Sequence, residues 1–299
     1  MENSVNNHID MMIVHTAICF RTKANCHSDI PRDKSLRLEN SVNNKTIYIC
    51  EDTLDGILTG VYDAWSSRKG HDMVKLRVRN AYANCESYEL FCEYEEVQPD
   101  SEKALKVGNA VRTKICRRAY EMIARAALTT SIDKADMIYR FLVKGFLMGK
   151  HIVNHLTDPV VARIFELNRF VMNDAHFYQG MLRFEEYENK ILVAKYEPQN
   201  NITDILSVHF ADRFREENFI ILDVTRSIAA IHRKRQDCII TTLSSDELSR
   251  LEESRTPEEE YKRLWITFFN TVSIEERRNE KLQQQNCRLH YRKYMTEFQ

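Results

Sequence analysis

At 299 residues, 43% apolar and 29% charged, the chain is long enough for one large or two ordinary globular domains with a sizeable core. No stretch approaches 18 uninterrupted apolar residues, and the early run MMIVHTAICF carries no small-residue cleavage site, so neither a membrane span nor a secretory signal is expected. The net charge of −1 gives no whole-chain reason to expect a nucleic acid, and eight cysteines without a C-x-x-C pair point to reduced thiols in a cytoplasm rather than to a zinc ribbon or an iron–sulfur centre.

The first 45 residues read as an extension with little folded core. The hexapeptide ENSVNN occurs at Glu2–Asn7 and again at Glu39–Asn44, around a polar, weakly periodic stretch. Residues 46–299 are expected to form a single α+β domain, helical over about 46–175, with an antiparallel sheet and C-terminal helices over about 176–299. A short apolar strand at Ile47–Cys50 opens it. An amphipathic helix follows, with Ile57, Val61 and Trp65 at helical spacing and Asp52 or Thr53 as its cap. Residues 101–172 form a helical block: one helix starts near Ser101, RRAYEMIARAAL is rich in helix formers, and Asp158-Pro159 caps and opens the next helix. MLRFEEYENKILVAKYEP then alternates as two strands around a Glu-Asn turn. A short helix at ITDILSVHFADRF precedes three strand-like runs, FIILDV, SIAAIHRK and DCIITTL, and helix returns from Ser245.

Charge is distributed unevenly. Residues 85–102 hold seven acidic and no basic residues, whereas 103–125 carry a local balance of +6. A second basic stretch runs from Arg226 to Arg235, and residues 244–260 return to five net negative charges. Such runs are either solvated faces whose opposite charges meet in space or a groove facing phosphates.

No sharp enzymatic signature is present. The chain lacks a P-loop, G-x-G-x-x-G, G-x-S-x-G, HExxH and the deaminase H-x-E pattern, so whether it is an enzyme stays open and no cofactor is expected. His151 and His155 stand at i and i+4, a spacing that suits a metal, but no third ligand lies nearby, so no metal site is expected. His209, Asp212 and Arg213 share a helix face, where Asp212 could orient the imidazole or raise its pKa. With His176, placed just before the sheet, His209 and Asp212 are the candidate catalytic groups; a surface salt bridge beside a structural histidine is the competing reading. Arg183 and Phe184 should point to opposite sheet faces, and Asp223 and Arg226 should pair at a strand end. Near the C-terminus, Arg277, Arg278 and Lys281, then Arg288, His290, Tyr291, Arg292 and Lys293, interleave charge with an aromatic ring, which suits phosphate contact and base stacking. The glutamates among them leave a protein-docking or intramolecular helix equally open.

Several segments together carry a family resemblance: IYICEDTLDGILTGVYDAW, IYRFLVKGFLMG, AHFYQGMLRF, HFADRFREENFIILDVTRSIAAIH, LWITFFNTVSIEERRNEKLQQQ and YRKYMTEF. In order and spacing they resemble a bacterial family, labelled DNA metabolism or DNA repair proteins, that holds a domain of unknown function also found fused to uracil-DNA-glycosylase-like domains. Its genes typically neighbour one for a radical SAM protein of DNA modification or repair. The resemblance runs from about Ile47 to Phe298 and carries over to His176, Gly180, Arg183, Phe184, His209, Phe210, Arg213, Asp223, Arg277, Asn279, Tyr291 and Glu297. It departs at Asp174, at Arg288-Leu289-His290 in place of a proline-containing turn, and in the 45-residue extension. It implies a protein that binds DNA and acts with a radical SAM partner, with Arg183, Arg213, Arg277, Arg278, Asn279, Tyr291, Arg292 and Lys293 as nucleic-acid-binding candidates. A base-excision-like hydrolase and a non-catalytic docking adaptor are the alternatives.

Overall fold

The computed structural model describes residues 45–79, 89–255 and 260–298. The expected extension, apart from Lys45, lies outside the described residues.

The chain enters on β1 (Lys45–Cys50), four of whose six residues are buried. Thr53 caps helix α1 (Leu54–Ser66) by accepting from the Gly56 amide at 3.0 Å. The helix then returns the chain to β2 (Val74–Val78), parallel to β1. Strand β3 (Cys92–Glu96) pairs parallel on the other side, giving a three-stranded sheet in the order β2-β1-β3. Helix α1 lies unusually close to β1: a Cβ added at Gly60 would stand 2.2 Å from Cys50 Sγ, so only glycine allows this approach.

Helix α2 (Ser101–Ala110) starts at Ser101 as expected, with Asp100 as its cap: the Asp100 carboxylate accepts from the Glu102 and Lys103 amides at 2.9 and 3.1 Å. It runs into a π-helical turn at Val111–Ile115 before α3 (Arg117–Ala127) and α4 (Lys134–Met148). Gly149, with φ of +62°, ends α4, and a 3-10 turn over Gly149–Asn154 follows. His151 therefore stands in a 3-10 turn and His155 beyond it, so the α-helical i, i+4 geometry of a metal pair is not formed. Among the described residues no cluster of three or more metal-ligating side chains exists.

Helix α5 (Pro159–Met181) starts where expected, with Asp158 accepting from the Val160 and Val161 amides. It has 23 residues and is roughly 34 Å long. Its first half, through Val161, Ile164 and Leu167, seals a core with the first sheet and α1 to α4. Its second half, through Val171, Ala175 and Tyr178, belongs to a second core under the second sheet. Among the described residues no helix is long and apolar enough to cross a membrane.

The second sheet has the order β4-β5-β6-β7-β8. Strands β4 (Glu185–Tyr187) and β5 (Ile191–Tyr196) form the hairpin expected around Glu188-Asn189, with Asn189 and Lys190 both at positive φ. Helix α6 (Thr203–Arg213) crosses over to β6 (Phe219–Asp223), so β5 and β6 are parallel. Strands β7 (Ile228–His232) and β8 (Ile239–Thr242) add antiparallel. The expected α+β class holds, with two differences: the second sheet is mixed rather than wholly antiparallel, because a helix joins β5 to β6, and a parallel sheet precedes the helical block. Helices α7 (Ser245–Glu253), α8 (Glu260–Val272) and α9 (Glu280–Asn286) follow, with α7 held by a Ser244–Glu247 capping box. Two 3-10 turns, Leu289–Tyr294 and Thr296–Phe298, close the chain.

Candidate nucleic-acid interface

His176 lies in the last two turns of α5 and is exposed. His209 is half-buried on α6 with its ring edge-on to Phe210, and no hydrogen bond joins it to Asp212. Burial lowers the His209 pKa and Arg213 adds to that; the exposed Asp212 pulls upward, as its spacing suggested, but does not offset them.

Asp174, one turn before Tyr178 on α5, is the buried polar centre of this region. Its Oδ2 accepts from the Asn200 amide and side-chain Nδ2 at 3.2 and 3.0 Å, and its Oδ1 accepts from the Tyr291 hydroxyl at 3.0 Å. The Tyr291 ring stacks on Phe177 with centroids 3.8 Å apart. Next to it, the buried Asp223 pairs with Arg226 at 2.8 Å, as expected, while Arg226 also donates to the Pro198 and Gln199 carbonyls.

Most of the nucleic-acid candidates are engaged within the molecule. Arg183 pairs with the buried Glu297 at 2.5 Å, which also accepts from Trp265 Nε1, while Phe184 turns the other way onto Phe210 and Phe214. Arg292 lies over the Phe298 ring at 4.5 Å and donates to the Cys287 carbonyl. Lys293 pairs with Glu197, Arg278 pairs with Glu280, and Asn279 caps α9. Arg277 and Arg213 remain exposed. Together Tyr291, Lys293, Tyr294 and Glu297 form a latch that fastens the C-terminal turns to α5 and the second sheet.

This latch should be sensitive to acid. The Lys293 and Tyr294 hydrogen bonds hold the Glu197 carboxyl below its usual value of 4.5. Burial would raise Glu297, but Arg183, its own backbone and Trp265 overcome that and hold it low as well. Because both folded values are depressed, their contribution is complete above the ordinary glutamate range and lost as pH falls through the folded values. We expect Trp265 emission in a Trp65→Phe background to change as pH drops below about 4.5. Glu297→Gln should remove most of that acid-dependent change, and an unaltered titration would show that Glu297 is not its source.

The basic stretches divide. Lys234 and Arg235 both pair with Glu216, and Arg226 is held by Asp223, so three of the four Lys and Arg residues of that stretch are charge-paired and Arg233 alone is exposed without an ion pair among the described residues. A cavity of about 400 Å³ beside the second sheet is lined by Arg183, Lys195, Arg255 and Lys293, and each of these is ion-paired: Lys195 with Glu252, Arg255 with Glu185, the other two as above.

The 103–125 stretch behaves differently. Lys106 and Lys114 line an open groove of about 680 Å³ between α1, α2 and the end of α4, together with Arg68, Tyr62, Trp65 and Phe146. Helix α2 is pinned to α1 by Lys103–Asp63 at 2.7 Å and by Thr59 Oγ1 exchanging hydrogen bonds with the Asp100 backbone. Among the described residues Arg68, Lys106 and Lys114 make no ion pair, and no carboxylate lines the groove. Trp65 was expected to continue the buried stripe of Ile57 and Val61; instead it is 38% exposed. His71, Phe146 and Tyr139 meet it edge-on at centroid distances of 4.7, 5.4 and 6.2 Å, and His71 is hydrogen-bonded to the Tyr139 hydroxyl at 2.8 Å. Lys106 and Lys114 lie in the 103–125 stretch that the charge pattern offered as a phosphate-facing groove, whereas Arg68, Tyr62, Trp65 and Phe146 were not among the site candidates. The available signals were Tyr62, Trp65 and Arg68 at successive i+3 spacing and Lys106 with Lys114 two turns apart.

No curated protein matches the chain. A family model described as a domain of unknown function, DUF4130, matches residues 132–297, which is more than half of the sequence. The match begins just before α4 and takes in α5, the second sheet and the latch, leaving most of the groove's lining in the region before it. The chain therefore belongs to the DUF4130 family.

Proposed function

We propose that this chain is a nucleic-acid-binding protein of DNA metabolism that works beside a radical SAM protein in a bacterial cytoplasm. The DNA context and the partner come from the family resemblance. The observation that supports binding is the groove at Trp65, where three unpaired cations and no carboxylate face solvent. Elsewhere the basic residues that sequence singled out are mostly neutralised by partners, so their charge is already spent at short range. A radical SAM partner would supply its own iron–sulfur cluster, since the cysteines here have no cluster spacing. The hydrolase alternative needs His176, His209 and Asp212 on one pocket; neither the groove nor the cavity beside the second sheet is lined by any of them.

Anisotropy of labelled DNA over a salt series tests the reading. Three phosphate contacts on a single strand should weaken binding by roughly 20-fold between about 50 and 200 mM salt. Adding the radical SAM protein should tighten the complex. Affinity that does not change over that salt range would count against phosphate recognition, and no binding with or without the partner would leave the docking-adaptor reading.

A further inference from the structure

The groove combines two features that a phosphate-tracking surface alone does not need. One is a tryptophan more than one-third exposed yet held by rings on several sides. The other is the local backbone that brings cations to it. Helix α1 ends at Ser66 with Ser67 as its cap, and Arg68 follows in the left-handed region at φ of +54°, where glycine would be the unstrained choice. Lys114 belongs to the π-helical turn between α2 and α3, a widened turn of the kind often found at functional sites. At both places an unstrained alternative, glycine after α1 or regular helix after α2, has been given up where a cation enters the groove.

A duplex presents phosphates and hides its base faces in the stack. A single strand presents both, and its unstacked bases bind aromatic side chains while phosphates meet lysine and arginine. We propose that this groove is a site for single-stranded nucleic acid, with an unstacked base against Trp65 beside Tyr62, and neighbouring phosphates on Arg68, Lys106 and Lys114. This rests on the nucleic-acid reading above and adds to it the strandedness of the ligand and the residue that senses it. The shared chemistry of deoxyribo- and ribo-oligonucleotides is a base and a phosphate, so strands of each sugar are separate arms of the test.

The experiment measures affinity of the full chain for a short single strand, the equal-length duplex, and a strand with abasic positions, all at one salt concentration. The intact single strand should bind more tightly than either of the others. Trp65→Ala should weaken the intact strand by between about 5-fold and 150-fold, the range of one base stacked on one aromatic ring, and leave the abasic strand and duplex nearly unchanged. Trp65→Phe should retain part of the affinity. Arg68→Gly relieves the left-handed strain, so it should be at least as stable as the parent, yet weaken intact and abasic strands alike. Equal losses on intact and abasic strands in Trp65→Ala, or a duplex bound as tightly as the single strand, would overturn the assignment while leaving DNA binding standing. Absence of binding to every oligonucleotide would instead remove the parent reading. A stronger response to one sugar identifies the ligand, and either preference is consistent with the site only if the Trp65 effect is seen on the preferred strand.

Discussion

Asp174→Ala should destabilise the protein by about 3–4 kcal/mol, because three donors lose one acceptor and at least two of them are buried. The Asn200 backbone N–H and Nδ2 group have Oδ2 of Asp174 as their partner, and Asn200 is itself completely buried. Each buried donor left without a partner costs about 1–3 kcal/mol, and water has little room to replace the carboxylate beside Tyr178 and Ala175. The third donor is the Tyr291 hydroxyl, so the same substitution should loosen the C-terminal latch. Asp174→Asn is the informative companion. It keeps one acceptor oxygen for Asn200 and turns an amide toward the tyrosine oxygen, which can accept, so a loss of about 1–2 kcal/mol is expected. Urea unfolding followed by far-ultraviolet circular dichroism would measure both. A loss below about 1 kcal/mol for the alanine variant would mean that solvent reaches Asn200 and the network is not sealed.

Lys134→Met should cost about 2–3 kcal/mol, and for a different reason. The Lys134 side chain is 2% exposed and its ammonium donates to the Ala127 carbonyl at 2.8 Å and to the Thr129 carbonyl, at the end of α3. It also pairs with Asp52, whose side chain is 51% exposed. A cation at a helix C-terminus satisfies carbonyls that lack intrahelical donors and sits favourably in the helix dipole. Burying the ammonium opposes this, and burial does lower the Lys134 pKa despite Asp52. The net loss is therefore smaller than the sum of two orphaned carbonyls. Asp52 can return to water when its partner goes, so it adds little. Methionine fills most of the same volume, which separates the lost hydrogen bonds from a cavity effect. Thermal unfolding of the two proteins side by side reads the difference, and equal stability would show that the desolvation cost had cancelled the bonds completely.

The sequence was most informative where one signal is local. Asp158-Pro159 starts α5, Thr53 caps α1, and the Glu188-Asn189 hairpin and the strands ending at Asp223 and His232 fall where alternation and turn residues place them. Strand β3 was missed because CEYEE has no apolar alternation; it is a strand by virtue of its backbone pairing with β1, at a sheet edge where charged side chains are tolerated. The parallel β5–β6 pair follows from the α6 crossover; the helix was legible, but the expectation of a wholly antiparallel sheet did not take up its consequence for pairing. The candidate site was legible only in part. The charge of residues 103–125 was visible, but their meeting with Tyr62 and Trp65 depends on α1 packing on α2 across some forty residues of chain. Conversely, Tyr291, Lys293 and Arg183 have the composition of a nucleic-acid surface, and only their placement reveals partners in Asp174, Glu197 and Glu297.

Helix α5 carries one consequence for anyone who handles this protein in pieces. A fragment trimmed to residues 132–297, the span that the family shares, would keep α4 and both halves of α5. It would discard the first sheet, α1 and α3, against which Ile138, Tyr139, Phe141, Leu142, Ile164 and Leu167 are buried. Lys134 would also lose both of its carbonyl acceptors. Such a fragment should be sticky and poorly soluble, while a cut placed before Lys45 keeps every core residue among those described. The stretch of chain that is inherited as a recognisable family is therefore shorter than the stretch that builds the cores into which it packs.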